Sequence, residues 1–178
     1  MPLSTVVGQH RALDALKGSL KSGSIHHAYL FGGPEGVGKE LAAIAFAQAL
    51  VCSERPGEGC GTCGACARIE HRNHPDVIWL MPEDELVARG LAGRSDFGRT
   101  PSRDIRVEQI RGLQERLSFR PLEASKKIVI VASAHAMNPQ AQNAFLKTLE
   151  EPPNDTVLVL LASAPDKLLP TIRSRLSK

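Results

Sequence analysis

Gly33-Pro34-Glu35-Gly36-Val37-Gly38-Lys39 fits the pattern G-x-x-x-x-G-K. A short apolar run, residues 28–31, precedes it. An alanine-rich stretch, residues 40–51, follows, with Leu41, Ile44, Ala45 and Gln48 at helical spacing. Phosphate binding needs that order. Glycines let successive backbone N–H groups curl around phosphate oxygens, the helix N-terminus adds partial positive charge, and the lysine reaches the outer phosphates. A glycine-rich turn with an incidental lysine is the bland alternative, and it requires neither strand nor helix. Gly33, Gly36, Val37, Gly38, Lys39 and Glu40 therefore read as nucleotide-binding residues, with ATP or ADP as the ligand.

Working outward, three more apolar runs, 77–80, 128–131 and 156–161, are short, continuous and bounded by turn or helix signals, as in strands buried on both faces. Between them, residues 105–117 carry Val107, Ile110, Leu113 and Leu117 as one apolar stripe. Residues 140–151 place Phe145, Leu146 and Leu149 on one side and stop at Pro152-Pro153. Strands alternating with helices predict an α/β fold, a parallel sheet with helices on both faces. Two stretches depart from this pattern. Residues 53–66 are rich in Gly and Cys and read as an inserted loop. Residues 83–103 are mostly charged or small and are expected to be mobile, with Glu83 and Asp84 solvated.

The phosphate loop lacks a standard part. A hydrolytic site has Ser or Thr after the lysine, whose hydroxyl ligates Mg²⁺, and an acid at the end of a later strand. Here Glu40 follows Lys39, and the strand at 128–131 runs into Ala132-Ser133-Ala134-His135 with no carboxylate. Both departures argue against efficient hydrolysis and for weak nucleotide binding. Glu40 or the Glu83-Asp84 pair standing in for the missing ligands is the alternative.

Cys52, Cys60, Cys63 and Cys66, the only cysteines, fall within residues 52–66. Four thiolates in two Cys-x-x-Cys steps plus one can converge on a tetrahedral ion, and zinc is the best fit by ligand type. An iron–sulfur cluster is the rival, although the Cys-Pro that usually follows is absent. With all four cysteines used, the site is structural. His71 and His74 nearby read as solvated surface histidines.

Chain length, 178 residues, suits one domain, and 42% hydrophobic content with 23% charge is ordinary for a globular protein. No run is long enough for a membrane span, and no signal peptide is legible, so a cytoplasmic location is expected. Net charge is +3, too small to argue nucleic-acid binding alone. Lys167, Arg173, Arg175 and Lys178 nonetheless cluster at the end against Asp166. A zinc-bearing DNA-binding module using that basic end is a further reading.

Several stretches together resemble one family. Val6-Val7-Gly8-Gln9, Ile25-His26-His27-Ala28-Tyr29-Leu30-Phe31, the phosphate loop, the cysteine cluster, Leu146-Lys147-Thr148-Leu149-Glu150-Glu151-Pro152-Pro153, and Thr171-Ile172-Arg173-Ser174-Arg175 are similar to the clamp-loader ATPases of bacterial DNA polymerase III. The resemblance implies an AAA+ P-loop fold, a three-layer α/β/α arrangement, and independently implies zinc. It implies a hetero-oligomeric ring with gamma/tau motor subunits and a delta subunit, which places a sliding clamp on primed DNA. Motor subunits would carry a hydroxyl after Lys39 and an Asp-Glu pair near Ser133-Ala134. Their absence here resembles the companion subunit with eroded motifs, which is not itself a competent ATPase; a hydrolytically active gamma/tau-type ATPase is the alternative. The family's Ser-Arg-Cys motif matches at Ser174-Arg175, with Leu176 in place of Cys, so Arg175 is implied as a trans arginine finger toward the neighbour's ATP. Ser163 is implied as the polar sensor facing the phosphates, and Gln9, His10 and Tyr29 as residues near the base. Asn143, Lys147, Glu150 and Glu151 read as an exposed interface face. The lid and collar domains of the family lie outside residues 1–178, which read as the AAA+ core.

Overall fold

The computed structural model describes residues 2–177. Four strands, β1 (Ala28–Gly32), β2 (Val77–Leu80), β3 (Lys127–Val131) and β4 (Thr156–Ala162), form one parallel sheet in the order β1-β4-β3-β2. β3 and β4 are central and buried along their whole length. Their branched and aliphatic side chains fit a pleated surface covered on both sides.

Seven helices surround the sheet among the described residues: α1 (His10–Ser22), α2 (Lys39–Val51), α3 (Gly64–Glu70), α4 (Glu83–Ala88), α5 (Val107–Leu117), α6 (Pro139–Glu150) and α7 (Pro170–Arg173). Alternation along the strands divides the core. Ile128 and Ile130 of β3 pack with Leu13 and Leu16 of α1 and Ala43, Phe46 and Ala47 of α2 on one face. Val129 and Val131 pack with Ile110 and Leu113 of α5 and Phe145 and Leu149 of α6 on the other. The result is the three-layer α/β/α arrangement. Each buried aliphatic or aromatic side chain contributes roughly 1.5–3 kcal/mol, so the two faces, not the phosphate loop, hold the fold together.

The connection from β1 runs to the far edge at β2, and β3 and β4 then return toward β1. The strand ends beside β1 and β4 thus form a topological switch point, the usual place for a ligand on an open α/β sheet.

Segment 83–103 is better organised than its composition suggests. Glu83 is buried, accepts from Arg99 Nη1 and Nη2 at 2.7 and 2.8 Å, and accepts from the Ser102 N–H at 2.9 Å. The expectation that Glu83 is solvated is corrected: an ion pair ties this apolar-poor segment down where a hydrophobic anchor is lacking. His74 is corrected likewise. It is 3% exposed, and its Nδ1 accepts from the Asp76 N–H at 3.1 Å. Asp76 in turn is buried and accepts from the backbone N–H groups of Leu122, Glu123 and Ala124.

Candidate functional site

The phosphate loop connects β1 to α2. Gly36 and Gly38 have φ of 79° and 89°, a left-handed conformation that a side chain at either position would oppose. Lys39 opens α2, and its Nζ donates to the carbonyls of Gly33 and Pro34 at 2.6 and 2.7 Å.

Two cavities meet at Lys39. One, of about 480 Å³, is lined by Gln9, Tyr29, Val37, Pro165 and Arg173 among others, and is largely apolar. The second, of about 520 Å³, is lined by Gly36, Gly38, Glu40, Glu85, Arg89, Ser133, His135 and Ser163. The first has the chemistry of a nucleoside pocket and the second that of a phosphate pocket. Gln9 and Tyr29 line the first as expected, whereas His10 opens α1 and does not line it. Leu41, placed at helical spacing with the core residues, is 50% exposed and borders the second cavity instead.

Glu40 is the centre of an ionic network. Its Oε1 accepts from Arg72 Nε at 3.1 Å and Arg89 Nη1 at 2.7 Å, and Arg72 Nη2 also pairs with it. Burial alone would raise the Glu40 carboxyl, but hydrogen bonds and charge from Arg89 and Arg72 outweigh it and hold the group below its ordinary value. Arg89 Nη2 pairs with Glu85, and Glu85 Oε2 accepts from Ser133 Oγ at 2.8 Å. Ser133 follows β3 with φ 55° and ψ 45°, an uncommon conformation for a residue with a side chain. Glu85 is therefore the acid at the end of β3. Sequence reasoning looked to its neighbours Glu83 and Asp84, but the first turn of α4 directs Glu83 away toward Arg99.

Arg72 occupies a costly position. It is the residue after the C-cap of α3, with φ 59°, where the Asn73 N–H bonds Arg68 O and the Arg72 N–H bonds Ile69 O. Helices usually place glycine at this point of the motif. Arginine there gains the Glu40 ion pair, and its guanidinium lies 5.0 Å from the Trp79 ring centre.

Ser163 Oγ and His135 Nε2 are 3.3 Å apart at the ends of β4 and β3. His135 is held below its ordinary value by burial and by the Lys167 charge, and its buried Nδ1 has no hydrogen-bond partner among the described residues. Arg175 lines neither of the two cavities that meet at Lys39. Its Nη2 pairs with Glu150 at 2.8 Å and its Nη1 bonds Thr171 O at 2.7 Å, with 36% of the side chain exposed. Arg173 pairs with Asp166, so two arginines of the basic end are already matched by acids; Lys178 lies outside the described residues.

The four cysteines converge. Their sulfurs lie within 4.8 Å of one another, with Cys52–Cys63 and Cys60–Cys66 each at 3.9 Å. A tetrahedral ion with metal–sulfur bonds of about 2.3 Å places its sulfurs about 3.8 Å apart, so the set fits such an ion. Backbone N–H groups of Cys63 and Thr62 point at Cys60 Sγ and lower its thiol to about 5, while burial pushes Cys66 up to about 12. Cys52 closes the end of α2, and Cys63 caps α3 by accepting from the Cys66 N–H. A helix that composition did not reveal, α3, thus begins inside the inserted loop. A Cβ on Gly59 would come within 2.9 Å of Gln48 Cβ, so only glycine lets this loop close on α2. Gln48 Nε2 donates to Cys66 O at 2.9 Å across the same contact. His71 and His74 do not belong to the cluster.

Comparison with known proteins gives the family. A profile described as "DNA polymerase III, delta subunit" matches residues 8–178. The chain belongs to this family. It is 39% identical over 167 residues to the DNA polymerase III subunit delta' of Bacillus subtilis, covering 94% of this chain and 45% of that protein. It is 36% identical over 171 residues to the DNA polymerase III subunit tau of the same organism, covering 96% of this chain and 27% of that one. Among solved structures, a gamma subunit-related protein of Thermotoga maritima matches with TM-score 0.60 at 25% identity, covering 92% of this chain and 43% of that one. The RuvB branch-migration motor of Thermotoga maritima matches with TM-score 0.56 at 13% identity over 96% of this chain and 43% of that one, a likeness of fold alone. The fold is that of AAA+ proteins, and the chain spans under half the length of these relatives. Among the described residues no helix is long and apolar enough to cross a membrane.

Proposed function

We propose that the chain is the AAA+ core of a delta'-type clamp-loader subunit, which helps load the sliding clamp onto primed DNA and does not itself hydrolyse ATP. The observation that carries this is Arg89 bridging Glu40 and Glu85. A hydrolytic site holds Mg²⁺ between the hydroxyl after the lysine and a strand-end acid; here a guanidinium lies between two carboxylates. Similarity to delta' and tau proteins at 39% and 36% does not separate the two branches; Glu40 and the neutral Ser133-Ala134 favour the delta' reading.

In this reading Gly33, Gly36, Val37, Gly38, Lys39, Glu40 and Ser163 form a nucleotide cradle for ATP or ADP. The cysteine cluster holds a structural zinc, which would pin the end of α2 to α3. Arg175 faces outward, held by Glu150, and serves the ATP of a neighbouring gamma/tau motor subunit. Its planar fork suits charge on a transferring phosphoryl group. The delta subunit, sliding clamp and primed DNA are reached through the complex, in the cytoplasm. The exposed residues Asn143, Lys147, Glu150 and Glu151 offer an interface face along α6.

Steady-state hydrolysis of ATP by the chain with excess Mg²⁺ tests this. The expected result is no turnover that Lys39→Ala removes. Turnover abolished by that substitution would establish a competent ATPase and overturn the assignment.

A further inference from the structure

We propose that the phosphate cavity binds a nucleotide's polyphosphate without a divalent metal ion, Arg89 being the built-in cation that takes the metal's place. This rests on the nucleotide-binding reading above.

Three features carry it. First, the position is right. Arg89 Nη1 lies 2.7 Å from Glu40 Oε1 and Nη2 pairs with Glu85. Glu40 follows the loop lysine, and Glu85 is attached to the end of β3 through Ser133. These are the two places from which a P-loop site reaches its metal. A divalent ion would have to displace a guanidinium already paired on both sides.

Second, the charge balance needs the arginines. Lys39 and Arg89 line the cavity with Glu35, Glu40 and Glu85, and Arg72 pairs with Glu40, so three cations balance three carboxylates. Without Arg72 and Arg89 the same walls would be net negative and would repel a polyphosphate. His135 adds no opposing charge, since it is a neutral or cationic group. Third, Arg89 is a cavity-lining residue whose planar fork can engage phosphate oxygens in pairs. Arg72, held in a left-handed backbone and over Trp79, retains Glu40 when Arg89 turns toward a ligand. The second arginine therefore keeps the carboxylate from competing with phosphate for the first.

The test is ATP binding measured by calorimetry, once with excess Mg²⁺ and once with EDTA. The expected dissociation constants agree within about threefold, about 0.65 kcal/mol. Arg89→Ala is expected to weaken binding by about tenfold or more in EDTA, the loss of charge-assisted hydrogen bonds. A circular dichroism melt of that variant checks that it is folded. Glu40→Thr, which restores the hydroxyl and removes the carboxylate, is expected to make binding tighter with Mg²⁺ than with EDTA. Native binding more than about tenfold tighter with Mg²⁺ overturns the proposal and leaves the nucleotide reading intact. Unchanged binding by folded Arg89→Ala also overturns it. No binding in either buffer instead overturns the nucleotide reading, and the proposal falls with it.

Discussion

At Glu40 the chain puts a carboxylate where a P-loop ATPase needs a neutral hydroxyl, and two arginines are committed to it. The departure itself is legible from the residue after Lys39. Its consequence is not, because Arg72 and Arg89 lie 32 and 49 residues away and only the fold brings them there. Asp76 shows the same limit: burial would raise its carboxyl, yet the N–H groups of Ala124, Leu122 and Glu123 hold it low. Asp76→Ala strands those three donors and is expected to cost about 3 kcal/mol in urea denaturation. The pH dependence follows from the directions of four shifts. Asp76 and Glu40 are both depressed in the fold, so their stabilisation is present above the unfolded carboxylate value of about 4 and is lost as pH falls through the folded values. His74 and His135 are depressed mainly by burial, so they add a loss beginning below about pH 6.5. Urea midpoints should therefore decline in two steps on acidification; a midpoint that rises from pH 7 to 3 would contradict these assignments.

Elements differ in how openly the sequence declares them. The four strands read clearly because burial on both faces makes each a continuous apolar run, and the structure extends three of them by a single residue at one end. Helices α5 and α6 were legible from their stripes. α1 was not: Gln9 supplies no side-chain cap and Gly18 interrupts its interior. α3 was hidden for a different reason, since its N-cap is the sulfur of Cys63 rather than a hydroxyl or carboxylate. That double use makes Cys63 a sharp test of the metal site. Cys63→Ala removes a proposed ligand and a cap together, so elemental analysis should find one zinc per chain in the native protein and none in the variant. The substitution should also lower Tm by roughly 10 °C, because a structural metal contributes several kcal/mol. Full zinc content in the variant, or iron in the native protein, would refute the four-cysteine zinc assignment.

For the molecule as a whole, Arg173 and Arg175 sit in different surroundings. Arg173 lines the largely apolar cavity beside Lys39, while Arg175 is partly exposed and pairs with Glu150 at the end of α6. The stretch from Leu146 to Pro153, which carries much of the family resemblance, thus also supplies the residue that positions the outward arginine. That link was not legible, because 25 residues separate Glu150 from Arg175. A subunit that assists its neighbour should be indifferent to its own phosphate lysine and sensitive to its outward arginine. The deciding measurement is the ATP hydrolysis rate of a clamp loader reconstituted with gamma/tau motor subunits and this chain within its full-length subunit. Lys39→Ala is predicted to leave that rate within about twofold, whereas Arg175→Ala lowers turnover at the adjacent site by at least about tenfold. Loss of hydrolysis with Lys39→Ala, together with an unchanged rate for Arg175→Ala, would contradict it.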